Sequence, residues 1–314
     1  MVVSLPSLAI FAQESPNMPI LYRPGVPADS LAAHSIMERA FVDMAQRLNG
    51  QAPITIGDPK NWEGIRGMFE HLGRTAEHFW IAELDGQPIG YARSIVRDGM
   101  RELTEFFVLP NQQSAGVGRE LLARAFPPGG VRHRSIIATT NPQSLSRYLR
   151  AGVMPRFPIF SFSRRPAAVN VSSDLAIEPI ASFDSARAEL NQVDLAILGY
   201  EREVDHAWLV QERRGFVYRR AGRTVGYGYI GFNNGPFALE NSTDYPAVLA
   251  HAETQGAARR AEQISFEVPL INRAAVEHFL ERHYIMDTIF SFYMADSAVG
   301  RLENYIAMSP PLFL

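Results

Sequence analysis

Two glycines, Gly116 and Gly118, lie in a short loop between an apolar, strand-like run and a helical segment. The run ends at Val108, and the helical segment carries its apolar residues on one face. A glycine removes a side chain where a ligand must approach the backbone closely. The first turn of a helix offers free N–H groups and a positive dipole end, which suit a phosphate. The loop therefore predicts a site for a phosphorylated ligand; the alternative is a glycine turn without a ligand.

Two common phosphate-binding motifs are absent from this loop. No Gly-Lys-Ser or Gly-Lys-Thr follows, and the third glycine of the dinucleotide fingerprint is missing. The string is instead Val108, Pro110, Gln113, Gly116 and Gly118. This spacing resembles the acyl-CoA loop of the GCN5-related N-acetyltransferase (GNAT) family.

The resemblance implies that acetyl-CoA is the cosubstrate. Its pyrophosphate would be held mainly by main-chain amides from about Gln113 to Arg119. The residues expected to bind it are Phe107, Val108, Gln113, Ser114, Ala115, Gly116, Val117, Gly118, Arg119, Asn141 and Ser144.

A second stretch matches another family pattern with Asn141, Ser144, Tyr148 and Gly152, although Val153 replaces a frequent aromatic residue. The resemblance implies that Tyr148 protonates the departing CoA thiolate and that Asn141 helps to hold the pantetheine arm. A thiolate leaving group benefits from a positioned proton donor. The alternative is that Tyr148 only packs on the sheet.

A general base is also expected, because an amine must lose a proton when it attacks a thioester. Glu102 and Glu105 lie on the strand before the loop. On a regular strand they would point to opposite faces unless a bulge intervenes, with Glu102 on the face of Val108. Glu102 is similar in spacing to the glutamate of histone-type members, and Glu105 is nearer the thioester in sequence. Either could be a solvated strand-end charge, and many relatives use water chains instead.

The elements that must position these residues form an α+β unit. Strands are expected at 20–23, 79–84, 89–96, 102–109, 134–139 and 157–163. Helices are expected behind the glycine loop and at 29–48, 62–72 and 142–150, with Gly73 ending the helix at 62–72.

After a plausible linker at 166–173, the pattern restarts. Segment 80–91 aligns without a gap with 216–227, and 141–148 aligns with 272–279. These matches predict a tandem duplication. The alternative is that any two α+β units share a hairpin and a strand–helix turn.

The second repeat lacks the features that would bind acetyl-CoA. It has no Gln-x-x-Gly-x-Gly string, and Glu240 and Asp244 place negative charge where a pyrophosphate should bind. Phe279 stands in the tyrosine position and His283 in the glycine position. We expect this repeat to support the fold and to form one wall of the acceptor cleft.

Two further segments have an open interpretation. Asp205, His206 and Trp208 could bind a small ligand or pack a loop. The apolar tail 305–314 is expected to pack on the first unit or on a neighbouring chain, the latter giving a homodimer.

Composition excludes several classes of function. The net charge is −3, so there is no global basic field for nucleic acid, and no apolar run is long enough for a membrane span. The absence of cysteine removes disulfides, thiolate metal sites and a cysteine relay, and it is compatible with the cytoplasm. The eight histidines form no metal-ligand pair, so no metal is expected. Residues 1–18 lack a basic leading region, so they are treated as an extension, with Met18 as an alternative start.

The sequence thus predicts two tandem GNAT-like units, each with a mixed, mostly antiparallel sheet flanked by helices. Residues 19–165 form the catalytic unit and 174–314 the degenerate unit. The expected activity is acetyl transfer from acetyl-CoA by direct attack of a small-molecule primary amine, with the acceptor chosen by loops 49–61 and 200–215. The alternatives are a non-catalytic CoA-binding sensor or scaffold and a peptide or protein N-acetyltransferase.

Overall fold

The computed structural model describes residues 19–49, 54–113, 116–311 and 313 of the 314 residues. The first repeat contains β1 Leu21–Pro24, α1 Ser30–Asn49, α2 Pro59–Thr75, β2 Ala76–Leu84, β3 Gln87–Arg97, β4 Met100–Val108, α3 Val117–Ala125, β5 His133–Thr139, α4 Pro142–Arg150 and β6 Met154–Arg164. The predicted extension 1–18 lies outside the described residues.

The second repeat follows the same order and adds a short strand from the tail. It contains β7 Ala176–Pro179, α5 Phe183–Ile197, α6 Glu203–Glu212, β8 Arg214–Arg220, β9 Arg223–Ile230, β10 Phe237–Leu239, α7 Tyr245–Ala258, β11 Ile264–Pro269, α8 Arg273–Glu281, β12 Ile285–Ala295 and β13 Tyr305–Ile306.

Local backbone geometry supports the predicted duplication. The β2–β3 turn has positive φ at Asp85 and Gly86, and the β8–β9 turn has the same signs at Ala221 and Gly222. Positive φ at both central residues suits the twist of a tight hairpin. The expectation of a tandem α+β fold is confirmed.

Two element predictions were wrong, and two short strands were missed. Helix α2 continues through Gly73 to Thr75, and Gly73 instead allows close packing, because a Cβ there would lie 2.9 Å from the Ser30 Oγ. The predicted loop 200–215 contains α6. Strands β10 and β13 were not predicted because two or three residues carry no periodic signal.

The repeats exchange their last strands. The larger sheet has the order β1-β2-β3-β4-β5-β12-β6-β11, and the smaller has the order β13-β10-β9-β8-β7. Strand β12 of the second repeat thus lies between β5 and β6 of the first, and β6 pairs with β11. The predicted boundary near residue 165 separates the two repeats in the sequence. In the structure, strands from both sides of it, such as β6 and β12, are hydrogen-bonded in one sheet.

The face of the large sheet that carries Tyr91, Ile159 and Tyr293 shares one core with α1, α2 and part of the second repeat. The opposite face packs against α3 in the first repeat and against α7 and α8 in the second. A ligand of the first repeat can therefore contact both faces of the large sheet only where the sheet opens.

Candidate active site

The sheet opens between β4 and β5. These parallel strands pair only from Met100–His133 to Leu103–Ile136. Beyond Leu103, residues of both strands line one cavity of about 780 Å³. The opening exposes backbone groups and joins the two faces of the sheet, which suits an extended ligand arm that passes through it.

The cavity is built by both repeats. Helices α1 and α2 supply one wall, and α3 and α4 lie on the other side of the opening. Strands β11 and β12 and the β9–β10 loop, with Phe232, bring in the second repeat. Asn233 of that loop donates a 3.5 Å hydrogen bond to the Gly64 carbonyl. The expectation that the second repeat walls the acceptor cleft agrees with this lining.

The two glycines of the loop are needed for different reasons. Gly116 precedes α3 in the left-handed region at φ 78°, where a side chain is strained. Gly118 is buried in the first turn, and a Cβ there would lie 3.1 Å from the Phe106 ring. The Gln113 amide donates a 3.3 Å hydrogen bond to the Val108 carbonyl, which ties the loop to β4. A helix N-terminus that follows such a loop suits a phosphate.

The other predicted cofactor residues have different placements. Ser114 and Ala115 lie outside the described residues. Val117 is fully buried in the core, and the Arg119 side chain is 83% exposed. Phe107, Val108, Gln113, Gly118, Asn141 and Ser144 line the cavity.

Tyr148 lines the cavity from the α4 side. Asn141 caps α4 by accepting a 2.9 Å hydrogen bond from the Gln143 N–H, which fixes where the helix begins. Tyr148 is buried and packs edge-on against Phe106. Burial raises its pKa, so the phenol keeps its proton at neutral pH and can act only as an acid or a hydrogen-bond donor.

A β-bulge overturns the expected facing of the two glutamates. Adjacent residues Arg93 and Ser94 pair with Glu105 and Leu103, so Thr104 is an extra residue in β4. Glu102 pairs with Ile95, two positions from Arg93. Glu102 and Glu105 therefore share a face, opposite to that expected for a regular strand, and Glu102 does not share the face of Val108.

Glu105 lines the cavity but is held in a buried ion pair. Both carboxylate oxygens accept 2.5 Å hydrogen bonds from the Arg93 guanidinium. The Tyr91 hydroxyl donates a third, at 3.2 Å. Glu102 is also buried, but it does not line this cavity and lies instead near Arg97 and Tyr200. These contacts suit a positioning role for Glu105 better than that of a free base.

Two cavity residues were missed by sequence reasoning. His34 in α1 is buried beside Trp62 and Phe69, and burial lowers its pKa, so the imidazole is neutral at pH 7. Glu267 in β11 is also buried, and it reaches the cavity only through the strand exchange. The sequence around His34 is that of an ordinary amphipathic helix, on which a histidine usually lies at the surface. No local sequence pattern distinguishes Glu267 as a cavity residue.

The corresponding opening in the second repeat is filled by the tail. Strand β13 pairs with β10 through Ile306 and Phe237, and the Ala307 N–H donates to the Glu267 carbonyl at 2.9 Å. Tyr305, Ile306 and Ala307 are fully buried. The tail thus occupies the gap between β10 and β11 that a cofactor arm would need.

Other features of the second repeat also oppose cofactor binding. Asp244 lies at the N-terminus of α7 and is paired with Arg220 at 2.8 Å. Phe279 is fully buried and stacks on Phe162. His283 has φ 57°, the counterpart of Gly152 at φ 88°.

The suggested ligand cluster is a packing contact between the repeats. Asp205 pairs with Arg97 at 2.7 Å and with His71 at 2.6 Å, and Trp208 stacks on His71. All of these side chains are buried, as is His206, which bonds to Asp194 at 2.9 Å. Of the two interpretations of this cluster, the packing role fits these contacts.

Comparison with known proteins agrees with this architecture. Residues 41–152 match the acetyltransferase (GNAT) family. This match lies within the N-terminal repeat and contains its glycine loop and Tyr148. No curated protein matches the chain. The match to this family supports acyl transfer as the general chemistry of the first repeat.

Solved structures extend the likeness to the whole chain. A protein from Pyrococcus horikoshii described as an acetyltransferase is 15% identical, with a TM-score of 0.69 over 94% of this chain and 96% of its own. A tandem GNAT protein from the clavulanic acid pathway is 12% identical, with a TM-score of 0.57 over 88% and 98%. A GNAT protein from Sphaerobacter thermophilus is 15% identical, with a TM-score of 0.52 over 88% and 95%. At these identities the likeness shows a shared tandem-GNAT fold.

Within the described residues, no helix is long and apolar enough to cross a membrane. No group of three or more acidic or histidine side chains there is arranged to hold a metal ion.

Proposed function

We propose that the protein transfers an acetyl group from acetyl-CoA to the primary amine of a small molecule at one site per chain. The observation that carries this proposal is the cavity at the β4–β5 opening. One part of this cavity contains the glycine loop and Tyr148. The other part, here named the acceptor chamber, lies under α1 and α2 and is largely apolar. The residues suit the cosubstrate, because Gln113 and Gly118 of the glycine loop line the same cavity as Asn141, Ser144 and Tyr148.

The acceptor amine attacks the acetyl carbonyl carbon, and the carbon–sulfur bond then breaks. A main-chain N–H near Val108 polarises the carbonyl oxygen. The sulfur takes the proton of the Tyr148 phenol, and solvent later returns a proton to Tyr148. Orientation within the cavity supplies much of the rate.

The proton of the amine needs an acceptor. Glu102 and Glu105 remain predictions for this role, but two observations favour His34. Glu105 already accepts hydrogen bonds from Arg93 on both oxygens, and Glu102 does not line the main cavity. His34 lines the main cavity as a neutral imidazole, which has a free lone pair.

Thiol release from acetyl-CoA with a panel of amines tests the proposal. We expect release with at least one amine, and Tyr148→Phe should lower kcat about 100-fold while acetyl-CoA affinity stays within about twofold. The matched control is Tyr22→Phe, which removes a phenol from β1 beside Arg124. An unchanged rate in Tyr148→Phe would refute the acid assignment.

The rival functions predict different outcomes. A CoA-binding sensor or scaffold would bind acetyl-CoA, measured by calorimetry, without releasing thiol with any amine. A peptide or protein N-acetyltransferase would release thiol with peptide amines and not with small amines.

A further inference from the structure

A buried carboxylate lies on the far wall of the acceptor chamber. Glu267 lines the cavity with its residue only 9% exposed. Its partner across the β6–β11 pair is Ser161. Residues 287–289 of β12 bulge out on the other side of Ser161, since Met286 and Phe290 pair with Phe162 and Phe160. Three neighbouring strands therefore present one row of polar groups to the cavity.

This carboxylate differs in its partners from most of the buried acids among the described residues. Five buried acids among the described residues are paired with arginines, as Glu105–Arg93, Asp194–Arg202, Asp205–Arg97, Asp244–Arg220 and Glu253–Arg282. Among the described residues, the groups that act on Glu267 are the hydroxyls of Ser161 and Ser309 and the negative charge of Asp287. Burial and then Asp287 raise the pKa of Glu267 to about 7.

A buried acid without a cation is unfavourable as a carboxylate, and a positive charge brought beside it would be stabilised. Asp287 also lines the cavity, at an exposed position of β12. The basic residues of the cavity lining, Lys60 and Arg147, lie on α2 and α4. The β11–β12 end of the chamber is therefore its acidic end.

We propose that Glu267, with Asp287 at the rim, binds a second positive charge of the acceptor, so that the substrate is an elongated molecule with an amine at one end and a cationic group at the other. This inference rests on the proposed function. Strand β11 lies three strand spacings from β5, roughly 14 Å, so a short amine cannot reach both the sheet opening and Glu267. The chamber between them is lined by apolar side chains such as Met37, Phe41 and Phe290, which suit a hydrocarbon spacer.

Steady-state kinetics with linear diamines from pentane to dodecane in length, beside the matching monoamines, tests this proposal. The longer diamines should have a KM at least about tenfold below that of their monoamines, the size expected for one charge-assisted hydrogen bond. Glu267→Gln should raise KM for the long diamine about tenfold and leave the monoamine KM within about twofold. A positioning role in catalysis would instead lower kcat for both amines.

Two variants accompany this measurement. Asp287→Asn changes an exposed residue and should raise the diamine KM by a smaller factor, which tests the subsite even if Glu267→Gln fails to fold. Asp184→Asn, whose side chain is 83% exposed in α5 of the second repeat, is the matched control and should change neither KM. Thermal melting and acetyl-CoA binding report on folding.

The outcomes separate the inference from the proposed function. Equal KM values for diamines and monoamines, or a diamine preference that survives in both Glu267→Gln and Asp287→Asn, would overturn the inference while acetyl transfer stands. Absence of thiol release with every amine would overturn the proposed function and the inference with it.

Discussion

The ionisable side chains of the catalytic cavity owe their properties to their partners. His34 and Glu105 act on each other electrostatically, yet their environments differ. Glu105 is bound by Arg93 on both oxygens, so it orients β4 and the Thr104 bulge. The pKa of His34 is lowered by burial more than Glu38 and Glu105 raise it. The neutral imidazole can thus accept a proton near neutral pH.

His34→Gln should lower kcat/KM about 100-fold at pH 7 and abolish the acidic limb of the pH profile. In the wild type, kcat/KM should hold above the ordinary imidazole pKa and fall only as pH drops through the lowered pKa of His34, because protonation removes the lone pair. Steady-state rates between pH 5 and 9 with a monoamine give the measurement, and the same profile in Glu267→Gln separates the limb of His34 from that of Glu267, whose pKa is raised to about 7 by burial.

Glu105→Gln is the comparison for this prediction. It breaks a buried ion pair and should lower the free energy of unfolding by about 3 kcal/mol while retaining the acidic limb. Loss of the limb in Glu105→Gln, with His34→Gln retaining it, would move the base to Glu105.

At the scale of elements, the two repeats differ at the same position of the fold, between β4 and β5 in the first repeat and between β10 and β11 in the second. In the first repeat the strands diverge after Leu103, and a cavity remains. In the second repeat β13 fills the gap between β10 and β11. The Asn304 amide donates to the Leu239 carbonyl at 2.7 Å, and the Tyr245 hydroxyl donates to the Asn304 carbonyl at 2.7 Å. The tail thereby satisfies backbone groups that an open cleft would leave to a ligand or to water.

Ile306→Ala should lower the free energy of unfolding by about 3 kcal/mol, because Ile306 is fully buried between the strands it joins. Urea unfolding measures the change. Ile177→Ala in the edge strand β7, where the residue is 38% exposed, is the matched control and should cost less than about 1 kcal/mol. Equal losses in the two variants would mean that β13 contributes no more than a surface strand.

At the scale of the whole molecule, the exchange of β6 and β12 joins the two sequence repeats into one folded unit. Strand β5 finds its antiparallel neighbour β12 in the other repeat, and β11 finds β6. Arg97 and His71 of the first repeat share the buried Asp205 of the second. Each repeat alone would expose an unpaired strand edge and a buried charge without its partner.

Residues 19–165 expressed alone should therefore not unfold cooperatively, whereas coexpression with 174–314 should restore a soluble complex that binds acetyl-CoA. Circular dichroism melting and gel filtration measure this. A full chain cut after folding, at a protease site placed within 166–173, should keep its two fragments together. A first repeat that melts cooperatively by itself would contradict the coupling.

The sequence by itself determined the local features: the glycine loop and its helix, the α4 cap, the hairpin turns and the duplication. These depend on residues close in the chain, such as Gly116 before Val117 or Asn141 before Pro142, so their spacing shows in the sequence. The losses at Phe279 and His283 were predictable for the same reason.

The tertiary structure alone decided which side chains meet. The one-residue bulge at Thr104 reversed the expected facing of Glu102, because side chains alternate with period two along a strand. The exchange of β6 and β12 and the insertion of β13 brought Glu267 to the cavity of the other repeat and filled the second cleft. The exchanged strands pair residues a hundred or more positions apart, and β13 pairs with residues at least 40 positions away. The energy of these pairings comes from long-range packing and hydrogen bonds that no local pattern records.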